Sequence, residues 1–204
     1  MSTDRNAIAG PRQITRDSLL TLEAYAKVRK EFRTRVLAHK RPRSIHLGEH
    51  MTLLFEDELT IRYQVQEMLR IEKIFEDQGI ADELAAYNPL VPDGSNFKAT
   101  MLLEFEDENE RKAALAKLKG IEDRVWLQVE GCPKVWAIAD EDLERENAEK
   151  TSSVHFLRFE LTQEMVAALK YGVALGLGVD HANYQAAIPA VGAATREALV
   201  ADLA

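Results

Sequence analysis

The sequence contains a single cysteine, Cys132, and no long run of apolar residues. One thiol excludes an internal disulfide framework and any zinc site built from several thiolates. No segment approaches the ~20 apolar residues that a membrane-spanning helix needs, and the N-terminus lacks the apolar core of a secretion signal. These absences predict a protein of the reducing cytoplasm that is neither secreted nor inserted into a membrane.

Motifs that bind phosphate groups or activate a serine are also missing. Gly172, Gly176 and Gly178 lie in an apolar strand pattern without the following helix that a dinucleotide-binding fingerprint needs. No Gly-x-Ser-x-Gly elbow of the hydrolases occurs. The sequence therefore assigns no cofactor and leaves open whether the protein is an enzyme.

Positive charge is scarce outside the N-terminal segment. The net charge is −8, but residues 1–43 carry +7 and the rest of the chain carries −15. An acidic bulk argues against general nucleic-acid binding, which needs a basic surface. The basic segment could dock onto an acidic surface of the same domain or of a partner. Arg29, Arg33 and Arg43 are candidates for an anion site, with a solvated basic face as the alternative.

The chain has the apolar periodicity of a mixed α+β protein. We expect a disordered tail over residues 1–13, a helix, hairpin and helix region over residues 14–92, and a second half over residues 93–204, packed together as one compact unit. Thr15 is expected to cap a helix that begins at Arg16 and ends in a basic cluster.

A β-hairpin followed by a helix, over residues 44–72, is the stretch around which the rest is predicted to pack, with Gly48 in its turn. At about 100° per residue, the helix over residues 58–75 is apolar on two sides, which is typical of a helix between other elements. Gln64 and Glu72 are predicted to point into its larger apolar stripe. They either satisfy each other and nearby backbone groups or line a pocket. The candidate pocket residues are Glu56, Gln64, Glu67, Arg70 and Glu72.

The second half contains a short internal similarity. Residues 103–106 align with residues 157–160, and both copies then reach a helix-ending glycine, Gly120 or Gly172. The pattern predicts a β-α-β-β unit that occurs twice, in a mainly antiparallel sheet covered by helices. Chance similarity between two alanine- and leucine-rich helices is the alternative. The charged run 140–150 between the copies is predicted to be a solvated connection.

Two histidines fall on core-directed faces of the predicted strands. His155 and His181 are candidate metal ligands because imidazole is a common protein ligand, and hydrogen-bonded core histidines are the alternative. Paired β-α-β-β modules with His and Glu ligands also occur in metal-dependent proteins of the vicinal oxygen chelate type. That analogy is incomplete, since the first copy has Met101 where the second has His155.

Several segments together resemble a known family. The runs LGEH at 47–50, TLLFE at 52–56 and QVQEMLRIE at 64–72 look like those of an uncharacterised bacterial family known only as a domain of unknown function, over about residues 14–203. The resemblance implies an accessory part in redox or oxidative-stress chemistry, because such proteins are typically encoded near rubrerythrin-like proteins and iron–sulfur oxidoreductases. It implies no catalytic residue.

Two functions remain open from the sequence. We expect an accessory or binding protein that engages a redox partner through its charge-segregated surface, with an oligomer possible. The alternative is a metal- or small-molecule-dependent enzyme with a carboxylate and histidine site. An enzyme should gather these groups in one pocket, whereas a binding protein should leave them as separate satisfied pairs.

Overall fold

The computed structural model describes residues 13–142, 145 and 149–204, which form six α-helices and nine β-strands in two sheets. The predicted α+β class with mainly antiparallel sheets is confirmed. Within these residues no helix combines the length and apolar character needed to cross a membrane. The predicted tail, except for Gln13, lies outside the described residues.

Helix α1, Leu22–Lys40, begins six residues later than the predicted start at Arg16. Thr21 caps it through its side chain, whereas residues 16–18 form only a 3₁₀ turn. The predicted start was wrong because the backbone N–H and C=O of Leu20 are bound by the buried Gln66 side chain, at 3.0 and 3.1 Å. That long-range contact holds the chain extended just before the helix.

The hairpin and the two helices after it complete the N-terminal region. Strands β1, Ser44–Leu47, and β2, Met51–Glu56, pair as predicted around Gly48, whose φ of 71° favours glycine. Helix α2 is Glu58–Glu72 and α3 is Asp77–Tyr87. Lys73 adopts a left-handed conformation with φ 57°, so α2 ends three residues before the predicted end.

The second half has the predicted order of elements, with a short extra strand and a final helix. Its elements are β3 Asn96–Leu103, α4 Glu108–Lys117, β4 Val125–Val129, β5 Val135–Trp136, β6 Ile138–Ala139, β7 Val154–Glu160, α5 Gln163–Lys170, β8 Leu175–His181, β9 Tyr184–Ile188 and α6 Ala193–Val200.

Equivalent strands of the two β-α-β-β units lie side by side. The sheet orders are β1-β2-β3-β7-β6 and β5-β4-β8-β9, and all paired neighbours are antiparallel. Thus β3 pairs with β7, β4 pairs with β8, and β5 and β9 flank the second pair. An internal duplication as the origin of this order stays a prediction.

Buried side chains form two hydrophobic clusters. The larger one joins both sheets and includes Leu53 and Phe55 of the hairpin, Met101 of β3, and Leu127 of β4. The smaller one joins α2, α3 and the segment before α1. Because the hairpin contributes to the larger cluster, the N-terminal region is built into the core of the second half. The domain boundary near residue 92 stays a prediction.

Candidate functional site

The buried stripe of α2 is narrower than its sequence predicts. Ile61, Val65 and Leu69 are buried, while Ile71 and Phe75 are 55% and 71% exposed. The expectation that Gln64 and Glu72 point into this stripe was wrong: Glu72 is exposed and Gln64 is only half-buried. Phe75 lies outside the stripe because the helix ends at Glu72. The buried amide of α2 is Gln66, which the periodicity did not single out.

Glu67 and Arg70, two of the candidate pocket residues, lie in an ion-pair cluster, in which the buried Nε of Arg70 has no hydrogen-bond partner among the described residues. The carboxylate of Glu67 accepts hydrogen bonds from Tyr25 Oη at 2.6 Å, from Arg29 at 2.7 and 2.8 Å, and from Arg70 at 3.1 Å. Hydrogen bonding to Arg29 lowers the pKa of Glu67 to about 2. Burial, together with Glu67, raises the pKa of Tyr25. This cluster joins α1 to α2, and both carboxylate oxygens of Glu67 accept hydrogen bonds within it.

Glu56 lies apart from that cluster, on β2. It is 2% exposed, and its Oε1 accepts a hydrogen bond of 2.7 Å from Thr100. Its Oε2 has no hydrogen-bond partner among the described residues. The five candidate pocket residues are therefore spread over a buried strand position (Glu56), an ion-pair cluster (Glu67 and Arg70), a half-buried helix position (Gln64) and an exposed helix end (Glu72).

The three arginines proposed for an anion site are also separated by their environments. Arg29 is bound by Glu67, and Arg43 is buried against Asp202 and Asp57 at 2.7 and 3.1 Å. Arg33 is exposed on α1. The guanidinium groups of Arg29 and Arg43 are thus occupied by carboxylates of the protein itself.

His155 lies on the inner face of β7, as predicted, and it is fully buried. Its Nδ1 is 2.5 Å from Oδ2 of Asp140, and its Nε2 is 3.0 Å from Oγ1 of Thr151 and 3.8 Å from Oε2 of Glu122. His181 lies in the other sheet, where its ring bonds to the backbone oxygen of Lys119 at 3.1 Å. The two histidines do not share a site.

Asp140, Glu122 and Thr151 were missed by sequence reasoning. Asp140 opens the charged run 140–150, which was predicted to be solvated; this part of the prediction was wrong because Oδ1 of Asp140 accepts the backbone N–H of Phe156 at 3.0 Å, which turns the side chain inward. Residues 143, 144 and 146–148 of that run lie outside the described residues. Glu122 follows a glycine turn in a 3₁₀ segment, where nothing in the sequence distinguishes it from a surface carboxylate.

The outer face of β7 lines a cavity of about 540 Å³, here called the β7 pocket. This volume lies in the range of small-molecule sites. The end of α3 and the turn after it form one wall, and the outer face of β3 and β7 forms the other. The lining residues are Ala85, Ala86, Pro89, Leu90, Asp93, Asn96, Lys98, Glu141, Asp142, Phe156, Leu157, Arg158 and Glu160.

Two cationic side chains stand opposite each other in the β7 pocket. Lys98 of β3 is the cross-strand partner of Arg158 of β7. Arg158 donates two hydrogen bonds of 2.8 Å to Glu141 and one of 2.5 Å to Glu160, so two carboxylates compensate its charge. Lys98 makes no hydrogen bond or ion pair within the described part of the chain. Burial, and then the neighbouring Arg158, lower the pKa of Lys98.

Comparison with known proteins adds a family and a relative of known structure. The model of a family described as "Protein of unknown function (DUF3501)" matches residues 13–203. A crystal structure of a protein of unknown function from Burkholderia pseudomallei is similar, with 58% sequence identity and a TM-score of 0.89. The match covers 94% of this chain and all of that one. A comparison with curated proteins gives no match.

Proposed function

The chain belongs to the DUF3501 family, and from the β7 pocket we propose that it is an accessory protein that binds a small molecule. The observation that carries this proposal is Lys98, a half-buried amine in a partly apolar cavity that makes no hydrogen bond or ion pair with any residue the structure describes. A buried cationic group normally has a partner, because leaving it unpaired is costly. A bound ligand with an oxygen acceptor would supply that partner.

The lining restricts the class of ligand. Leu90, Pro89 and Phe156 offer apolar surface, and Lys98 offers one donor group. Four carboxylates also lie at the cavity, and Arg158 and Arg145 compensate part of their charge through direct bonds to Glu141, Glu160 and Asp142. Their field disfavours nucleotides and other polyanions. The ligand that fits is a small monocarboxylate or carbonyl compound with an apolar body, whose oxygen accepts a hydrogen bond from Lys98.

The distribution of the other candidate groups supports binding over catalysis. Arg29 and Arg70 both donate hydrogen bonds to Glu67, and Glu56 and Glu72 lie elsewhere. That these groups lie in several places supports the binding proposal. An enzyme would need several of these groups around one substrate position.

A second candidate function comes from the lowered pKa of Lys98. A lysine that is desolvated beside another cation holds more of its neutral, nucleophilic form, which reacts with carbonyl compounds to give a Schiff base. Lys98 beside Arg158 has both features. Reduction with borohydride in the presence of a small aldehyde or oxo acid would fix such an adduct on Lys98, and mass spectrometry of peptides would locate it.

The binding proposal is tested by native mass spectrometry and by thermal shift with a panel of monocarboxylates and oxo acids. We expect a co-purified or added acid to raise the melting temperature of the wild type. Lys98→Met should abolish this shift, whereas Lys112→Met, at an exposed lysine of α4, should preserve it. A panel without effect on the wild type, or an equal effect on the Lys98 variant, would refute the proposal.

We also propose that the protein supports a redox enzyme, and this part of the proposal rests on the family resemblance and on the uneven charge of the chain. Lys30, Arg33 and Arg35 are exposed on α1 and offer a basic surface to an acidic partner. Pull-downs with rubrerythrin-like and iron–sulfur oxidoreductase proteins should retain a partner with the wild type. Retention should fall for Lys30→Glu combined with Arg33→Glu. If the wild type and the double variant retain the partner equally, α1 is excluded as the docking surface.

A further inference from the structure

We propose that the cluster around His155 binds a divalent first-row metal ion, held by Nε2 of His155 and the carboxylate of Glu122. One nitrogen or oxygen atom from each of His155, Glu122 and Asp140 lies within 4.8 Å of those of the other two. The cluster lies on the inner face of β7, whereas the β7 pocket lies on its outer face. This inference therefore stands independently of the small-molecule proposal.

The spacing of the oxygen atoms around Nε2 suits a metal ion. Nε2 is 3.0 Å from Thr151 Oγ1, 3.1 Å from the backbone oxygen of Ser152 and 3.8 Å from Glu122 Oε2. Thr151 Oγ1 and Glu122 Oε2 are 3.3 Å apart. Two ligands that each lie about 2.1 Å from one ion are separated by roughly 3.0 to 3.4 Å in octahedral or tetrahedral geometry. Small shifts of Glu122 complete such a set.

Asp140 holds the imidazole ring in the orientation that ligation requires. Its Oδ2 lies 2.5 Å from Nδ1, so it accepts the Nδ1–H hydrogen bond and leaves Nε2 facing Thr151 and Glu122. Its Oδ1 is fixed by the backbone N–H of Phe156 and by Arg145. A carboxylate that orients a ligating histidine is a common feature of metal sites. Asp140 is thus a positioning residue, and the Glu122 carboxylate is the anionic ligand.

The same groups also have the order of a hydroxyl nucleophile, a base and an acid. Thr151, His155 and Asp140 are joined by contacts of 3.0 and 2.5 Å, but the Thr151 hydroxyl donates its hydrogen to Glu122, whereas in a catalytic triad it donates to the imidazole. Thr151 and His155 are 1% and 0% exposed, so no scissile bond of a substrate can reach the hydroxyl. An ion is small enough to enter, since the side chains of Glu122 and Asp140 each keep 10% exposure.

The charge of the cluster favours a cation. Two carboxylates, Glu122 and Asp140, lie beside the imidazole of His155, and Arg145 pairs with Asp140. A divalent ion between the imidazole and Glu122 would be attracted by both carboxylates. One nitrogen with several oxygens suits Zn²⁺, Fe²⁺ or Mn²⁺ better than Ca²⁺ or Mg²⁺, which prefer oxygen alone.

The test is metal binding by the full chain, purified without a histidine tag and stripped with a chelator. Titration with Zn²⁺, Fe²⁺ and Mn²⁺ under reducing conditions should show one ion per chain for at least one metal. Glu122→Gln should lower the affinity at least tenfold, and Asp140→Asn should lower it by about 10- to 100-fold. His181→Gln and Glu72→Gln, which change residues outside the cluster, should bind like the wild type.

If the cluster variants do not fold, a second measurement on the wild type tests whether His155 binds the metal ion. In the wild type labelled with ¹⁵N at histidine, Zn²⁺ should shift the Nε2 resonance of one buried ring and leave those of the other histidines in place. The proposal is overturned if none of the three metals binds stoichiometrically or if no buried ring responds. It is equally overturned if a folded Glu122→Gln retains wild-type affinity.

Discussion

Arg43 and Asp202 form a buried ion pair across 159 positions of sequence, with hydrogen bonds of 2.7 and 2.8 Å between the guanidinium and the carboxylate. Asp202→Asn removes the carboxylate that binds Arg43 through two hydrogen bonds and leaves Asp57, at 3.1 Å, as its charged partner, so it should lower the free energy of unfolding by about 1.5–3 kcal/mol. The matched control is Asp180→Asn, which breaks the exposed pair with Lys134 and should cost at most about 1 kcal/mol. Urea denaturation measures both, and equal losses would contradict the buried-pair argument.

Glu67 should make stability depend on pH in a defined window. Its pKa is lowered from 4.5 to about 2 by Arg29. A lowered pKa in the folded state gives stability that is fully present above about pH 4.5 and is lost as the pH falls toward about 2. Glu67→Gln should therefore destabilise the protein at pH 7, by about 1.5–3 kcal/mol.

The difference between wild type and Glu67→Gln should shrink as urea denaturation is repeated at pH 7, 5, 4 and 3. Glu72→Gln on the same helix is the control, because Glu72 is exposed and its replacement should leave the free energy of unfolding unchanged at every pH. If the difference in free energy of unfolding between the wild type and Glu67→Gln stays constant down to pH 3, the pKa of Glu67 is not lowered in the folded state.

Lys98 should lose its proton at a lower pH than the exposed lysines. Burial and Arg158 both disfavour its charged form. Reductive methylation with ¹³C-formaldehyde, followed by NMR titration, reports each lysine, and the resonance missing from Lys98→Arg is that of Lys98. Replacing Arg158 by Met should raise the pKa of Lys98, because a cation is removed and Glu141 and Glu160 are released. Titration of Lys98 together with Lys112 would contradict the prediction.

Tyr184 should stabilise the hairpin turn in a way that depends on Gly48. Its hydroxyl donates to the backbone oxygen of Leu47 at 2.6 Å and accepts the N–H groups of His50 and Met51 at 3.0 and 3.1 Å. Tyr184→Phe should cost about 1–3 kcal/mol. Gly48→Ala should also destabilise, because φ is 71° and a Cβ would lie 2.7 Å from that hydroxyl.

The two changes should be less than additive in a double-mutant cycle, since Tyr184→Phe removes the oxygen that the new Cβ meets. Thermal unfolding of the two single variants and the double variant gives the coupling. Strict additivity would mean that the backbone strain at Gly48, and not the contact with Tyr184, accounts for the loss.

The order of elements could be predicted from sequence because it follows local patterns. Gly48 between two apolar runs marks the hairpin, and Gly120 and Gly172 mark the ends of equivalent helices, so the β-α-β-β order is visible without long-range information. Helix ends were less predictable. The start of α1 is set by Gln66, which lies 46 positions from Leu20, and no local pattern shows such a contact.

The sites were less predictable than the elements, for a related reason. The inner position of His155 follows from alternation along β7, but its partners come from two separate connections, and Asp140 reads as one more acid in a charged run. Lys98 likewise becomes notable only when β3 pairs with β7 and places Arg158 opposite. Periodicity identifies which face a residue occupies, whereas partners across the sheet depend on the fold.

The pairing of β2 with β3 joins the N-terminal hairpin to the second half along six residue pairs. Residues 93–204 expressed alone would present β3 with an uncovered row of backbone donors and acceptors. Such an edge pairs readily with other chains. Residues 93–204 expressed alone should therefore form aggregates or strand-exchanged dimers. Assays of the two halves should use co-expressed fragments, because β2 of one fragment can then pair with β3 of the other.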